Sequence, residues 1–146
     1  MKELFDVHCH MVPGVDDGAA DLEESLAMLK MQHEDGVRKI IITPHYRRRM
    51  FETPAKKVHE QFLKLQEAAK KEYPDMSLYL GCELHSNMDL QDILEKRKYV
   101  TMAGSSYVLL EFSEGDSAQH IRERVYNVLS CGYEPVSYTH LRAHET

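Results

Sequence analysis

The sequence predicts an α/β protein built on parallel strands. Apolar segments of strand type alternate with amphipathic helical segments, and the order reads β-α-β-α-β-α-β-α-β. The three consecutive isoleucines at residues 40–42 are typical of a strand that is covered on both faces. Because such alternation requires helical crossovers, we expect parallel strands whose C-terminal ends meet at one end of one sheet.

Caps and periodicity define the elements of the first half. Residues 5–8 form a short strand, and Asp21 with Glu24 gives the N-cap of a helix that ends at Gly36. Residues 39–43 form the second strand, and a basic loop follows at residues 45–51. Pro54 occupies the first position of the next helix. Its buried stripe is predicted to be Val58, Phe62, Leu65 and Ala69.

The second half continues the same alternation. Residues 78–82 form the third strand, and Asp89 caps a short helix that runs through Leu94. Residues 107–112 form the fourth strand, and a long helix then ends at Gly132. Residues 134–136 begin the fifth strand. In parallel α/β folds, functional sites form at the C-terminal ends of the strands, so reactive side chains at those positions are candidates for a site.

Composition excludes several function classes. The chain has 146 residues, enough for one domain, and a net charge of −6, which disfavours binding to nucleic acid. No apolar stretch approaches the roughly 20 residues that a membrane span needs, so no membrane insertion is expected. The three cysteines are widely spaced and form neither a disulfide framework nor a zinc motif, which suggests a reducing cytoplasm. A homo-oligomer is compatible with the sequence.

Histidine and carboxylate side chains recur where the predicted strands end. His8 and His10 are two residues apart, and on a strand such residues point to the same face. Imidazoles beside carboxylates suit a divalent metal better than a core, because a buried unpaired carboxylate is costly. Mixed ligation of this kind favours Mn, Fe or Zn over Mg or Ca. The sequence therefore predicts a metal-dependent hydrolase with candidate residues His8, His10, Asp16, Asp17, His45, Glu83 and Glu111.

Several motifs carry a resemblance to one family. They are His8-Cys9-His10, Val15-Asp16-Asp17-Gly18, Thr43-Pro44-His45, Met50-Phe51-Glu52-Thr53-Pro54, Gly81-Cys82-Glu83 and Leu110-Glu111-Phe112. Over residues 5–136 the chain resembles the bacterial capsule-type protein-tyrosine phosphatases, the CpsB/YwqE-like members of the PHP (polymerase and histidinol phosphatase) superfamily. The resemblance implies the N-terminal part of a distorted, TIM-like β/α barrel with a three-metal site, usually of manganese. It also implies a substrate, phosphotyrosine on a bacterial tyrosine kinase that regulates capsule or exopolysaccharide synthesis.

The resemblance also assigns the metal ligands. It implies that His8, His10 and Glu83 bind the first metal, that Glu83 bridges to a second metal with Glu111, and that Asp17 and His45 bind the third. The preference for Asp17 over its neighbour rests on register with the family alone. Asp16 could instead hold the loop or orient a histidine.

Other side chains near the motifs have competing interpretations. Arg47 and Arg48 are candidates for contact with the phosphoryl group, because guanidinium groups recognise phosphate well, although a solvated loop is the alternative. Cys9 is expected to point away from the ligands. His33 is predicted to be a core residue on the first helix, and His85 is unassigned. A small-molecule phosphatase of histidinol-phosphatase type is the alternative enzyme.

The C-terminal residues differ from the family pattern. Residues 137–146 resemble the peptide encoded by sequencing-adapter DNA, so we predict a partial phosphatase domain at residues 1–136 followed by a non-native tail. Thr139 stands where the family has a histidine, and the neighbouring His140 would face the other way. A whole barrel takes about 250 residues. A catalytically inactive fragment is therefore a further alternative.

Overall fold

Parallel strands and helices alternate along the chain in the computed structural model, which describes residues 2–137. The elements are β1 (Leu4–Asp6), α1 (Leu22–Glu34), β2 (Val37–Ile42), β3 (His45–Tyr46), α2 (Ala55–Glu72), β4 (Ser77–Leu80), β5 (Glu83–His85), α3 (Leu90–Lys96), a 3₁₀ turn (Met102–Gly104), β6 (Tyr107–Glu111), α4 (Ala118–Ser130) and β7 (Glu134–Ser137). The predicted α/β class is confirmed. The tail from residue 138 onward, with Thr139 and His140, lies outside the described residues.

The prediction of one sheet is wrong, because a further short strand follows each of the second and third predicted strands: β3, in the predicted basic loop, follows β2, and β5 follows β4. The resulting sheets have the orders β1-β2-β4 and β3-β5-β6-β7, and all their pairings are parallel. Pro44 has no N–H group, so it cannot continue the hydrogen-bond ladder of β2. Single bonds span the break, from Gly81 N to Ile42 O at 2.8 Å and from Glu83 N to Pro44 O at 2.9 Å. The predicted parallel pairing therefore holds within each sheet, and these two bonds link one sheet to the other.

The caps of α1 and α3 agree with the sequence prediction, whereas the cap of α2 differs by one residue. Asp21 Oδ1 accepts the N–H of Glu24 at 2.8 Å at the start of α1, and Asp89 Oδ1 accepts the N–H of Asp92 at 3.2 Å at the start of α3. Pro54 is the N-cap of α2 rather than its first helical residue. No helix within residues 2–137 is long and apolar enough to cross a membrane.

Two hydrophobic clusters support the sheets. The first joins α1 and α2 to the first sheet, and it includes the predicted stripe of α2, whose four residues are all buried. The second joins α3 and α4 to the second sheet. The prediction that His33 is a core residue is wrong: it lies in the last turn of α1, and its Nε2 is 3.0 Å from the exposed carboxylate of Asp75. Leu29, one turn earlier, fills the core instead.

Candidate metal centre

Glu83 is the first residue of β5 and lies at the centre of a histidine cluster. Its carboxylate is fully buried. Its Oε1 lies 3.3 Å from His8 Nε2, and its Oε2 lies 3.0 Å from His10 Nε2 and 2.9 Å from His45 Nδ1. Three imidazoles from two segments, His8 and His10 after β1 and His45 in β3, therefore converge on one carboxylate.

Strand register explains this convergence. His45 opens β3 and is the direct partner of Glu83 in β5, while Glu111 ends β6 opposite His85. His8 lies just beyond β1, which ends earlier than predicted, at Asp6. The first sheet therefore delivers its ligand-type residues after its strands, whereas the second sheet carries them on its strands.

Two groups of side chains could each hold a metal ion. One consists of His8, His10 and Glu83, and the other of His45, Glu83 and Glu111; within each group the donor atoms lie within 4.8 Å of one another. Oε1 of Glu111 is buried and accepts no hydrogen bond within residues 2–137, and its 3.8 Å separation from His45 Nδ1 is too long for one. A buried carboxylate oxygen that accepts no hydrogen bond is suited to contact with a cation. The mixed set of nitrogen and oxygen donors is also suited to a metal ion.

The two neighbouring aspartates take different positions. Asp16 Oδ2 lies 3.1 Å from His10 Nδ1 and accepts the backbone N–H of His45 at 3.0 Å, while its Oδ1 accepts the N–H of Gly18 at 2.9 Å. Asp16 thus orients the histidines. Asp17 is exposed, and its Oδ1 lies 3.6 Å from His45 Nε2, on the opposite side of the ring from Glu83.

When no metal ion is bound, the electrostatics of the cluster favour an ionised Glu83 carboxylate beside a protonated His10. Burial opposes ionisation of both Glu83 and His10. Hydrogen bonds from His10, His45 and His8 outweigh burial at Glu83 and hold its pKa well below the usual range. Contacts with Asp16 and Glu83 likewise outweigh burial at His10 and raise its pKa to about 10. A metal ion held by His10 would replace a proton on that ring, because a coordinating imidazole must be neutral.

The basic loop that contains Arg47 and Arg48 folds back beside the cluster. Arg47 and Phe51 exchange two backbone hydrogen bonds, Arg47 N to Phe51 O at 2.9 Å and Phe51 N to Arg47 O at 2.8 Å. The Phe51 ring stacks on His45, with centroids 5.2 Å apart. Arg47 is half-buried, whereas Arg48 is exposed and lies in a separate depression. The loop thus packs Phe51 against His45, while Arg48 lines the separate depression.

His85 lies next to the candidate site, although the sequence left its role unassigned. It is buried, its Nε2 lies 2.9 Å from Ser113 Oγ, and its Nδ1 accepts the N–H of Asn87 at 3.1 Å. Burial lowers the pKa of His85, and the nearby charge of Arg47 acts in the same direction. The spacing from Glu83 was the single available signal, because Ser113 is distant in sequence.

Cys9 points away from the cluster, as predicted. Its Sγ lies 4.0 Å from the carbonyl oxygen of Ile41, and burial raises the pKa of the thiol far above its usual range. A thiol held in its neutral form is a poor nucleophile.

The fold and the site define an α/β protein whose strand ends assemble a histidine and carboxylate cluster suited to metal. The model of the family "Capsular polysaccharide synthesis, CpsB/CapC" matches residues 4–144. The chain belongs to this family.

Named relatives agree with this assignment. The chain is 40% identical to the tyrosine-protein phosphatase CpsB of Streptococcus pneumoniae over 91% of its length and 55% of the relative's. It is 29% identical to the tyrosine-protein phosphatase YwqE of Bacillus subtilis over 91% and 52%, respectively. It also superposes, with a TM-score of 0.81 and 28% identity, on a crystal structure from work describing YwqE and CpsB as metal-dependent tyrosine phosphatases. That match covers 92% of this chain and 54% of the other. The chain therefore spans about half the length of the relatives it matches.

Proposed function

We propose that the protein is a metal-dependent protein-tyrosine phosphatase. The observation that carries the proposal is the convergence of three imidazoles on buried Glu83, in a chain 40% identical to a tyrosine-protein phosphatase. The substrate would be phosphotyrosine on a bacterial tyrosine kinase that regulates capsule or exopolysaccharide synthesis. The family description, which names capsular polysaccharide synthesis, supports this partner. A cytoplasmic location and a homo-oligomer remain predictions from the sequence.

The ligand assignment is the one that the family resemblance implies, and the two donor groups support it in part. His8, His10 and Glu83 would bind one metal ion, and Glu83 would bridge to a second that Glu111 also binds. Asp17 and His45 would bind a third, which the 3.6 Å approach of their side chains supports. We infer manganese, with Fe or Zn as alternatives, and three ions in the complete protein. The same donor set supports these metals over Mg or Ca.

The protein's own groups would position the substrate. Metal ions in such a site supply Lewis acidity and lower the pKa of a water molecule. Arg47, on the loop beside His45, would contact the phosphoryl oxygens through its guanidinium fork. Arg48 was an equal candidate for this contact, but its place in a separate depression favours Arg47. Asp16 would hold His10 and the backbone of His45 in register, so that the ligand geometry is set before metal binds.

Phosphatase assays with different metals test the proposal. We expect the complete protein to hydrolyse a phosphotyrosyl peptide with Mn²⁺, to lose this activity in EDTA and to regain it when Mn²⁺ is restored. Alkylation of the thiols should have no effect, because Cys9 points away from the site. Activity that persists in EDTA and disappears on alkylation would instead indicate a cysteine phosphatase.

Comparison of substrates separates the proposal from its alternative. A small-molecule phosphatase would turn over histidinol phosphate faster than a phosphotyrosyl peptide. We expect the reverse order, as the names of the relatives support.

A further inference from the structure

The depression that Arg48 lines lies beside the candidate metal centre. Its volume is about 460 Å³, and its lining includes Arg48, Asn87, Met88, Arg124 and Asn127. Four of these five side chains carry hydrogen-bond donors or a positive charge. The depression therefore differs in character from the acidic and imidazole groups around Glu83.

Both arginines of the depression are anchored to the same residue. The backbone N–H of Arg48 donates to Met88 Sδ at 3.0 Å, and Nη1 of Arg124 donates to the carbonyl oxygen of Met88 at 3.3 Å. The long side chain of Arg124 is therefore held in place rather than extended into solvent. An ordered guanidinium group loses less side-chain entropy on binding an anion.

The lining of the depression keeps a net positive charge, because its two arginines outnumber its one acidic residue. Within residues 2–137, neither Arg48 nor Arg124 forms an ion pair, and Nε of Arg124 is buried without a hydrogen-bond partner. Asp89 is the one acidic residue of the lining, and its Oδ1 is used in capping α3. An unpaired guanidinium with a buried donor is suited to an oxyanion.

Chain connectivity places the depression next to the proposed site. Asn87 follows His85 by two residues and donates its N–H to His85 Nδ1 at 3.1 Å. Arg48 follows His45 by three residues. Both segments leave the second sheet at the C-terminal ends of its strands, where Glu111 ends β6, so an extended peptide could reach both places.

We propose that this depression, formed around Arg48 and Arg124, binds an anionic group of the peptide substrate beside the phosphotyrosine. The group would be a carboxylate side chain or a second phosphotyrosine, since guanidinium groups bind both oxyanions. This inference rests on the proposed phosphatase function. It makes the protein selective for acidic or multiply phosphorylated tyrosine segments, despite its own net charge of −6.

Peptide binding tests the inference. The probes are peptides with a non-hydrolysable phosphotyrosine analogue, flanked by Asp and Glu, by Asn and Gln, or by a second such analogue. With Mn²⁺ present, we expect the acidic flank to tighten binding at least about fivefold, the contribution of one exposed ion pair of about 1 kcal/mol. Comparison with the doubly substituted peptide shows which anion is preferred. Added salt should reduce either preference.

Variants of α4 locate the effect. Arg124→Gln should abolish the preference while leaving turnover of free phosphotyrosine unchanged. Asn127→Asp, which adds a negative charge to the lining, should also abolish it. Arg122→Gln makes the same charge change at an exposed position of the same helix and should keep the preference. An equal loss in Arg122→Gln, or no preference in the unaltered protein, would overturn the inference.

A peptide pair without phosphotyrosine separates this test from that of the proposed function. If no phosphotyrosyl peptide is hydrolysed or bound, the phosphatase proposal fails. The acidic unphosphorylated peptide should still bind more tightly than its neutral counterpart, and Arg124→Gln should remove the difference. If phosphotyrosyl peptides are hydrolysed but acidic and neutral flanks behave alike, the inference fails and the phosphatase proposal stands.

Discussion

His10 lies between two carboxylates, with Nε2 3.0 Å from Glu83 and Nδ1 3.1 Å from Asp16. A carboxylate on the far nitrogen fixes the orientation and tautomer of a metal-binding histidine. Since Asp16 also accepts the N–H of His45, one side chain positions two of the proposed ligands. Asp16 is therefore expected to affect metal binding, although it is not itself a proposed ligand.

We expect Asp16→Asn to lower the affinity for Mn²⁺ about 10- to 100-fold without removing a ligand, as substitutions of ligand-orienting residues do. Titration calorimetry would measure the change. Asp89→Asn, which alters a helix cap with no contact to the cluster, is the matched control and should bind Mn²⁺ normally. Unchanged affinity in Asp16→Asn would show that Asp16 does not orient the ligands.

Gly18 is expected to tolerate no side chain. A Cβ atom at this position would lie 2.2 Å from the carbonyl oxygen and 2.6 Å from the Cβ of His10. Gly18→Ala should therefore displace His10, weaken Mn²⁺ binding, and cost about 1–3 kcal/mol of stability, as overpacking does. Denaturant unfolding and metal titration of the same sample measure both effects. Wild-type values in both would mean that the loop around His10 is looser than described.

Leu65 should contribute strongly to stability, because it is fully buried on α2. Leu65→Ala is expected to cost about 2–5 kcal/mol in the free energy of unfolding. Leu63→Ala, on the same helix but 44% exposed, should change it by less than about 0.5 kcal/mol. Equal losses for the two variants would contradict the assigned helix face.

The contact between His33 and Asp75 should make stability depend on pH in the acid range. The hydrogen bond from His33 is the main cause that lowers the pKa of Asp75, and the charge of Arg38 adds to it. A lowered carboxyl pKa stabilises the fold above the unfolded pKa of about 3.9, and this contribution is lost as the pH falls through the folded value. Asp75→Asn should flatten that part of the stability profile. A profile identical to that of the unaltered protein would contradict the contact.

Much of the fold was predictable because its signals are local. The caps at Asp21 and Asp89 and the stripe of α2 depend on residues a few positions apart, and the structure agrees with them. The division into two sheets was missed, although Pro44 was visible. The effect of Pro44 on the sheet depends on where the neighbouring strand breaks, at Gly81, and Gly81 is distant from Pro44 in the sequence.

The candidate site, like the fold, was only partly predictable from the sequence. The sequence singled out the residues that the structure brings together around Glu83, because each follows or interrupts an apolar run. It could not reveal that Asp16 contacts both His10 and His45, or that Arg124 approaches Arg48 across Met88. Those relationships arise from packing between segments far apart in the chain. His33 was misassigned because helical periodicity alone does not show where a core ends.

Direct titration of the protein with Mn²⁺ tests the central claim, that the cluster around Glu83 is a metal centre. We expect the unaltered protein to bind Mn²⁺, Glu83→Gln to lose this binding while remaining folded by circular dichroism, and His33→Ala to bind as the unaltered protein does. Failure of the unaltered protein to bind Mn²⁺, Fe²⁺ or Zn²⁺, or equal binding by the folded Glu83→Gln variant, would contradict the claim.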